Sequence, residues 1–153
     1  MTPQATRFRV FSEDAVKTYA CDEPHVVISI RSPSGERAAL PENDLRMDTL
    51  WLDFHDVDDT ELGQRTARII HSWGAEKIKP FDDGMARQVR EFIEKNVKAT
   101  TVIVNCEAGI SRSSGLAAAL SKSLMGDDEE YFKRYVPNTL VYKKVMDEMH
   151  KRV

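Results

Sequence analysis

The chain has 153 residues and is sparing in several features that would place it in a special class. It has two cysteines, Cys21 and Cys106, too few for a disulfide framework. Both are expected to be thiols in a reducing compartment. No apolar run approaches the roughly 20 residues needed to span a membrane. The first residues, Met1 to Arg9, lack the apolar core of a signal peptide. A cytoplasmic location is the expectation. The net charge is only -3, so nothing in the composition points to nucleic acid or to a membrane surface as partner. Internal repeats and low-complexity linkers are missing. What is present is an ordinary globular composition, 41% hydrophobic and 31% charged, expected to form a single domain over 1–153.

Hydrophobic periodicity divides the chain into alternating strands and helices. Residues 7–11 read as a short edge strand, and Ser12 as the start of a helix over 13–20. Val26 to Ile30 read as a strand ended by Ser32-Pro33-Ser34-Gly35, with 31–47 mostly loop. Leu50, Leu52 and Phe54 alternate with Trp51, Asp53 and His55, a strand with one core-facing side. Asp59 or Thr60 can cap a helix over 61–73, with Leu62, Ile69, Ile70 and Trp73 on its apolar side. Asp82 starts a helix over 83–96, in which Met85, Val89, Phe92 and Ile93 form the core stripe. Thr100 to Val104 form a β-branched run that reads as a buried strand. A helix then runs to Met125, stopped by Gly126, and a short acidic-led helix reaches Tyr135. Pro137 breaks the pattern and Asn138 caps a last helix to His150. Strands alternating with helices predict an α/β fold around a mainly parallel sheet of four to five strands flanked by helices.

The segment Asn105 to Ser114 reads N-C-E-A-G-I-S-R-S-S and lies between the last strand and the helix that follows it. Parallel sheets place ligands at the C-terminal ends of their strands, where this loop falls. The loop amides and the first helical turn offer unsatisfied N–H groups, and the helix dipole favours negative charge. Arg112 adds a planar fork that can hold two oxygens of one phosphate. Cys106 sits in the same positive field, which favours its thiolate as a nucleophile. A bare C-x5-R pattern arises by chance; its placement between a strand and a helix makes it specific.

These residues resemble the active-site signature C-x5-R-[S/T] of the cysteine-based protein tyrosine phosphatase superfamily, and chain length and layout are most similar to its dual-specificity-like branch. The resemblance covers about residues 50–150. It implies a protein tyrosine phosphatase-like fold and a phosphomonoester hydrolase that needs no cofactor and no metal. Cys106 is then the nucleophile and Arg112 the phosphoryl clamp, with Ser113 donating a hydrogen bond to the sulfur. The backbone of Glu107, Ala108, Gly109, Ile110, Ser111 and Arg112 would bind the phosphate oxygens. The family usually has His before the cysteine where this chain has Asn105, which implies slower turnover rather than loss of function. Asn138 after Pro137, with Arg134 upstream, is similar to a family segment that braces the active-site loops, although helix capping alone explains an Asn there.

Thiolate chemistry on a phosphate ester also needs a proton for the leaving oxygen, which a carboxylate supplies well. Asp53, Asp56, Asp58 and Asp59 lie in one stretch. The layout L-D-F-H-D is similar to the dual-specificity pattern and assigns the acid to Asp56, with Asp58 and then Asp53 as alternatives. His55 and His71 lack the spacing of a metal site. The expected partner is a phosphorylated protein or small phosphomonoester. Two other readings remain open: a phosphate-binding pseudophosphatase that serves as an interaction module, and a phosphatase for a phosphoinositide or an RNA 5′ end. The loop has no lysine between Cys106 and Arg112, which weighs against highly charged inositol phosphates.

Overall fold

The computed structural model of the chain describes residues 2–60, 64–65, 68–69 and 78–151. Four strands lie among them: β1 (Arg7–Ser12), β2 (His25–Arg31), β3 (Arg46–Asp53) and β4 (Thr101–Cys106). Five helices accompany them: α1 (Glu13–Val16), α2 (Asp83–Lys95), α3 (Arg112–Met125), α4 (Glu129–Arg134) and α5 (Thr139–His150). The strands form one sheet in the order β1-β4-β2-β3, with every pair parallel. The fold is α/β, as expected, and β1 is an edge strand.

Strand β4 lies in the sheet interior, and all six of its residues are buried. Its continuous apolar run suits a strand covered on both faces. Alternation sends Val102, Val104 and Cys106 to the main core and Ile103 to a smaller cluster on the other face. The main core joins Val26, Ile28 and Ile30 of β2 to Val89 and Ile93 of α2, Leu116 and Leu120 of α3, and Val141 and Val145 of α5. These three helices, with Tyr131 of α4, share one face of the sheet. The opposite face is covered more thinly, by Val16 of α1 together with Cys21 and Ala38. Cys21 is a packed small residue there, its Sγ 3.6 Å from the Glu23 carbonyl.

Helix starts follow their sequence signals. Ser12, Asp82 and Asn138 each accept a hydrogen bond from a first-turn N–H of α1, α2 and α5. Gly126 ends α3 in the left-handed conformation, at φ 82°. Several boundaries differ from expectation, among them the end of β3 at Asp53 instead of His55. Helix α1 stops at Val16 instead of reaching residue 20, because Thr18 and Tyr19 bond back to Ala15 and Val16 in tighter turns. The Tyr19 ring then packs on Phe11, 4.6 Å between centroids. Strand β3 begins at Arg46, within the expected loop, where pairing with β2 extends it. Strand β4 runs two residues past Val104, because Asn105 pairs with Phe11 and Ser29, and Cys106 with Ser12. The helix expected over 61–73 lies mostly outside the described residues, as do His71 and Trp73. Among the described residues no helix is long and apolar enough to cross a membrane.

Candidate active site

Cys106 is the last residue of β4, and α3 begins six residues later at Arg112. The loop between them turns on Gly109, whose φ is 69°. A Cβ at Gly109 would lie 2.5 Å from the Ser12 nitrogen and 2.7 Å from the Phe11 carbonyl carbon. Glycine is thus required twice, for the positive φ and for the contact with the end of β1. The turn curls the loop back over the cysteine. The Gly109 N–H donates to Cys106 Sγ at 3.3 Å, and Ser113 Oγ lies 3.1 Å from the same sulfur. Cys106 is only 2% exposed. The Gly109 N–H, the Ser113 hydroxyl and the start of α3 thus surround its sulfur.

Arg112 lies in the first turn of α3 with its side chain 8% exposed. Its Nη1 donates to the Phe54 carbonyl at 2.9 Å and to Ser32 Oγ at 3.1 Å. These two bonds fix the guanidinium through Nη1. The edge formed by Nε and Nη2 has the geometry to match two oxygens of a phosphate. Nη2 lies 3.7 Å from Glu107 Oε1, which also accepts from the Ser32 N–H at 3.2 Å. The Ser32 hydroxyl and N–H, with a smaller contribution from Arg112, hold the Glu107 carboxyl below its ordinary range despite partial burial. The charged form of Glu107 is thereby favoured beside the Arg112 guanidinium.

Of the four clustered aspartates, Asp56 is the one hydrogen-bonded to the Cys106–Arg112 loop. Its Oδ1 accepts from Ser111 Oγ at 2.9 Å and from Asn138 Nδ2 at 2.8 Å. Asp53 instead pairs with Arg31, at 2.7 Å and 3.1 Å, and the guanidinium holds its carboxyl below the usual range. Asp58 accepts from the Thr60 N–H and hydroxyl in a local turn. Asp59 bonds to Thr139 and, at 2.5 Å, to Lys143 of α5.

Asn138 joins three parts of the site. Its Nδ2 also donates to the Val57 carbonyl at 3.1 Å, its N–H to the Ser111 carbonyl at 2.9 Å, and its Oδ1 caps α5. Capping alone therefore does not account for it. Arg134 is elsewhere: it pairs with Glu130 one turn away and lies over the Tyr135 ring. Asn105 is 1% exposed, and its Oδ1 has no hydrogen-bond partner among the described residues. His55 accepts from the Lys79 N–H at 2.9 Å. Among the described residues no group of three or more His, Cys, Asp or Glu could hold a metal ion.

The sequence reading missed Ser32 and the Phe54 carbonyl. The one visible signal for Ser32 was its place after a buried strand. Its contact with Arg112 depends on β2 lying beside β4, a neighbour relation that periodicity does not encode.

No protein-family model matches the chain, and no curated protein matches it in sequence. Solved structures similar to it include two tyrosine phosphatase-like proteins. Tk-PTP in the active form aligns over 100% of both chains at 19% identity, with a TM-score of 0.41. The human tyrosine phosphatase-like serine/threonine/tyrosine-interacting protein aligns at 18% identity over 83% of this chain and 77% of its own, with a TM-score of 0.52. The fold is tyrosine phosphatase-like. Beyond the C-terminal end of β4 lie Cys106, Arg112 and, hydrogen-bonded to Ser111 of the same loop, Asp56.

Proposed function

We propose that the protein is a cysteine-dependent phosphomonoester hydrolase acting on phosphorylated protein or a small phosphomonoester. The observation that carries this reading is the Cys106 sulfur, which receives the Gly109 N–H and faces Ser113 Oγ, beside an arginine whose Nη1 is held by the Phe54 carbonyl and Ser32 Oγ. In the proposed reaction the Cys106 thiolate attacks phosphorus and forms an S–P bond. The P–O bond to the leaving group breaks, and Asp56 gives its proton to that oxygen. The amides of Glu107 to Arg112 and the Nε–Nη2 edge of Arg112 hold the three equatorial oxygens, whose spread charge they stabilise. Water then attacks phosphorus and yields a proton to the Asp56 carboxylate. The S–P bond breaks, inorganic phosphate leaves, and Ser113 donates to the departing thiolate. The Glu107 carboxylate at the rim favours a singly phosphorylated substrate over a highly charged inositol phosphate.

Turnover of phosphotyrosine and phosphoserine peptides beside phosphoinositides tests the reading. Peptide turnover with competitive vanadate inhibition, unchanged by a chelator, is the expected result. Cys106→Ser should lose turnover while still binding vanadate, because the serine fits the loop but is a far weaker nucleophile. Activity in that variant within a few-fold of the unaltered protein would exclude the thiolate route. Vanadate binding without turnover in the unaltered protein would make the chain a phosphate-binding module.

A further inference from the structure

Ser111 stands at the N-cap of α3, the position where a serine side chain ordinarily accepts from the first-turn amides. It makes no such bond. Around it Ser114 Oγ donates to the Ile110 and Ser111 carbonyls, and the Gly115 N–H donates to the Ser111 carbonyl in the first regular helical bond. The Ser111 hydroxyl is turned outward and donates to Asp56 Oδ1 at 2.9 Å. The same oxygen accepts from Asn138 Nδ2 at 2.8 Å. Both donors thus converge on Oδ1, and no partner for Oδ2 exists among the described residues.

We infer that Ser111 is a positioning residue for the proton donor: with Asn138 it locks Asp56 Oδ1, so that Oδ2 carries the proton and faces the leaving oxygen. This rests on the reading of the site as a phosphatase. An aspartate that accepts two hydrogen bonds at one oxygen has its carboxyl plane set, and its proton belongs on the other oxygen. Ser111 is also part of the phosphate-binding loop, so the bond references the acid directly to the bound phosphoryl group. Asn138 reinforces that reference, since its N–H holds the Ser111 carbonyl while its side chain holds the carboxylate. When the P–O bond breaks, the Oδ2 proton moves to the ester oxygen, and the carboxylate charge left behind already has two donors at Oδ1.

The test compares Ser111→Ala and Ser111→Thr with the unaltered protein on a series of aryl phosphates. Phenyl phosphate needs a proton for its leaving oxygen, and para-nitrophenyl phosphate needs it far less. Ser111→Ala should lose about tenfold in kcat/KM on phenyl phosphate, roughly the factor one hydrogen bond carries. On para-nitrophenyl phosphate its loss should be no more than about twofold, and its vanadate affinity should be unchanged. Ser111→Thr, which keeps the hydroxyl, should restore the phenyl phosphate rate. A loss equal for both esters, or weakened vanadate binding, would assign Ser111 to the phosphate loop alone and overturn the inference. So would an alanine variant with unchanged turnover of phenyl phosphate. If the unaltered protein cleaves neither ester, the phosphatase reading fails and this inference fails with it. If the unaltered protein is active and the alanine variant shows no leaving-group dependence, only the inference about Ser111 fails.

Discussion

The Cα of Gly115 in α3 lies directly against the backbone of Asn138: a Cβ there would come within 2.6 Å of the Asn138 oxygen and 2.9 Å of its nitrogen. The small residue is required by space, since backbone cannot retreat as a flexible side chain would. Gly115→Ala should therefore push the start of α5 away from α3. The expected loss of stability is about 1–3 kcal/mol, as for other overpacked sites, read from the denaturant midpoint. Phenyl phosphate turnover should fall as well, because Asn138 holds both Ser111 and Asp56. A variant with unaltered midpoint and rate would show that the two helices separate freely.

Arg112→Lys should be severely impaired. Lysine cannot reproduce the Nη1 bonds to Phe54 and Ser32 while presenting a two-donor edge to phosphate. Loss of one such donor costs on the order of 10²–10³ in rate, and kcat/KM should fall by at least about 10². Vanadate affinity should weaken in parallel. Normal kinetics in the lysine variant would reduce Arg112 to a structural residue.

Asp56→Asn removes the proposed acid while keeping the Ser111 contact isosteric. Proton donation is worth about 10²–10⁴ in rate, so phenyl phosphate should lose activity on that order, and an ester of a very acidic phenol much less. The basic limb of the pH–rate profile should vanish in the same variant. Asp53→Asn and Asp58→Asn serve as controls. Asp53 is committed to Arg31 and Asp58 to Thr60, so neither should show leaving-group dependence. If Asp58→Asn shows it and Asp56→Asn does not, the acid sits two residues further along.

Asp59 ties the loop that carries Asp56 to α5 through Lys143 and Thr139, whose contacts hold its carboxyl below the ordinary range. The folded protein thus binds a proton at Asp59 more weakly than the unfolded chain does. The stabilisation is fully present above the unfolded value, about 4, and is lost as the pH falls through the lower folded value. Asp59→Asn should lower Tm at pH 7, and its difference from the unaltered protein should shrink below about pH 4. A Tm difference constant down to pH 3 would show that the carboxylate charge is not what holds the loop.

Local chemistry and periodicity determined much of this protein directly. The β-branched run before Cys106, the stripe of Met85, Val89, Phe92 and Ile93, and the caps Asp82 and Asn138 are short-range signals, and each produced the element it predicts. The Cys106–Arg112 spacing likewise placed two side chains on one loop, because five intervening residues confine them whatever surrounds the loop. What the tertiary structure decided are the relations between segments far apart in sequence. The order β1-β4-β2-β3 brings Ser32 to Arg112 and lays Gly109 on the end of β1. The separation of the acidic side chains also came from packing. Asp53, Asp56, Asp58 and Asp59 are chemically alike along the chain, and only their partners, Arg31, Ser111, Thr60 and Lys143, give each a different task. A hydrogen bond reports where two groups meet, and for residues 55 positions apart, as Ser111 and Asp56 are, that meeting is fixed by the stacking of helices on the sheet rather than by any local pattern.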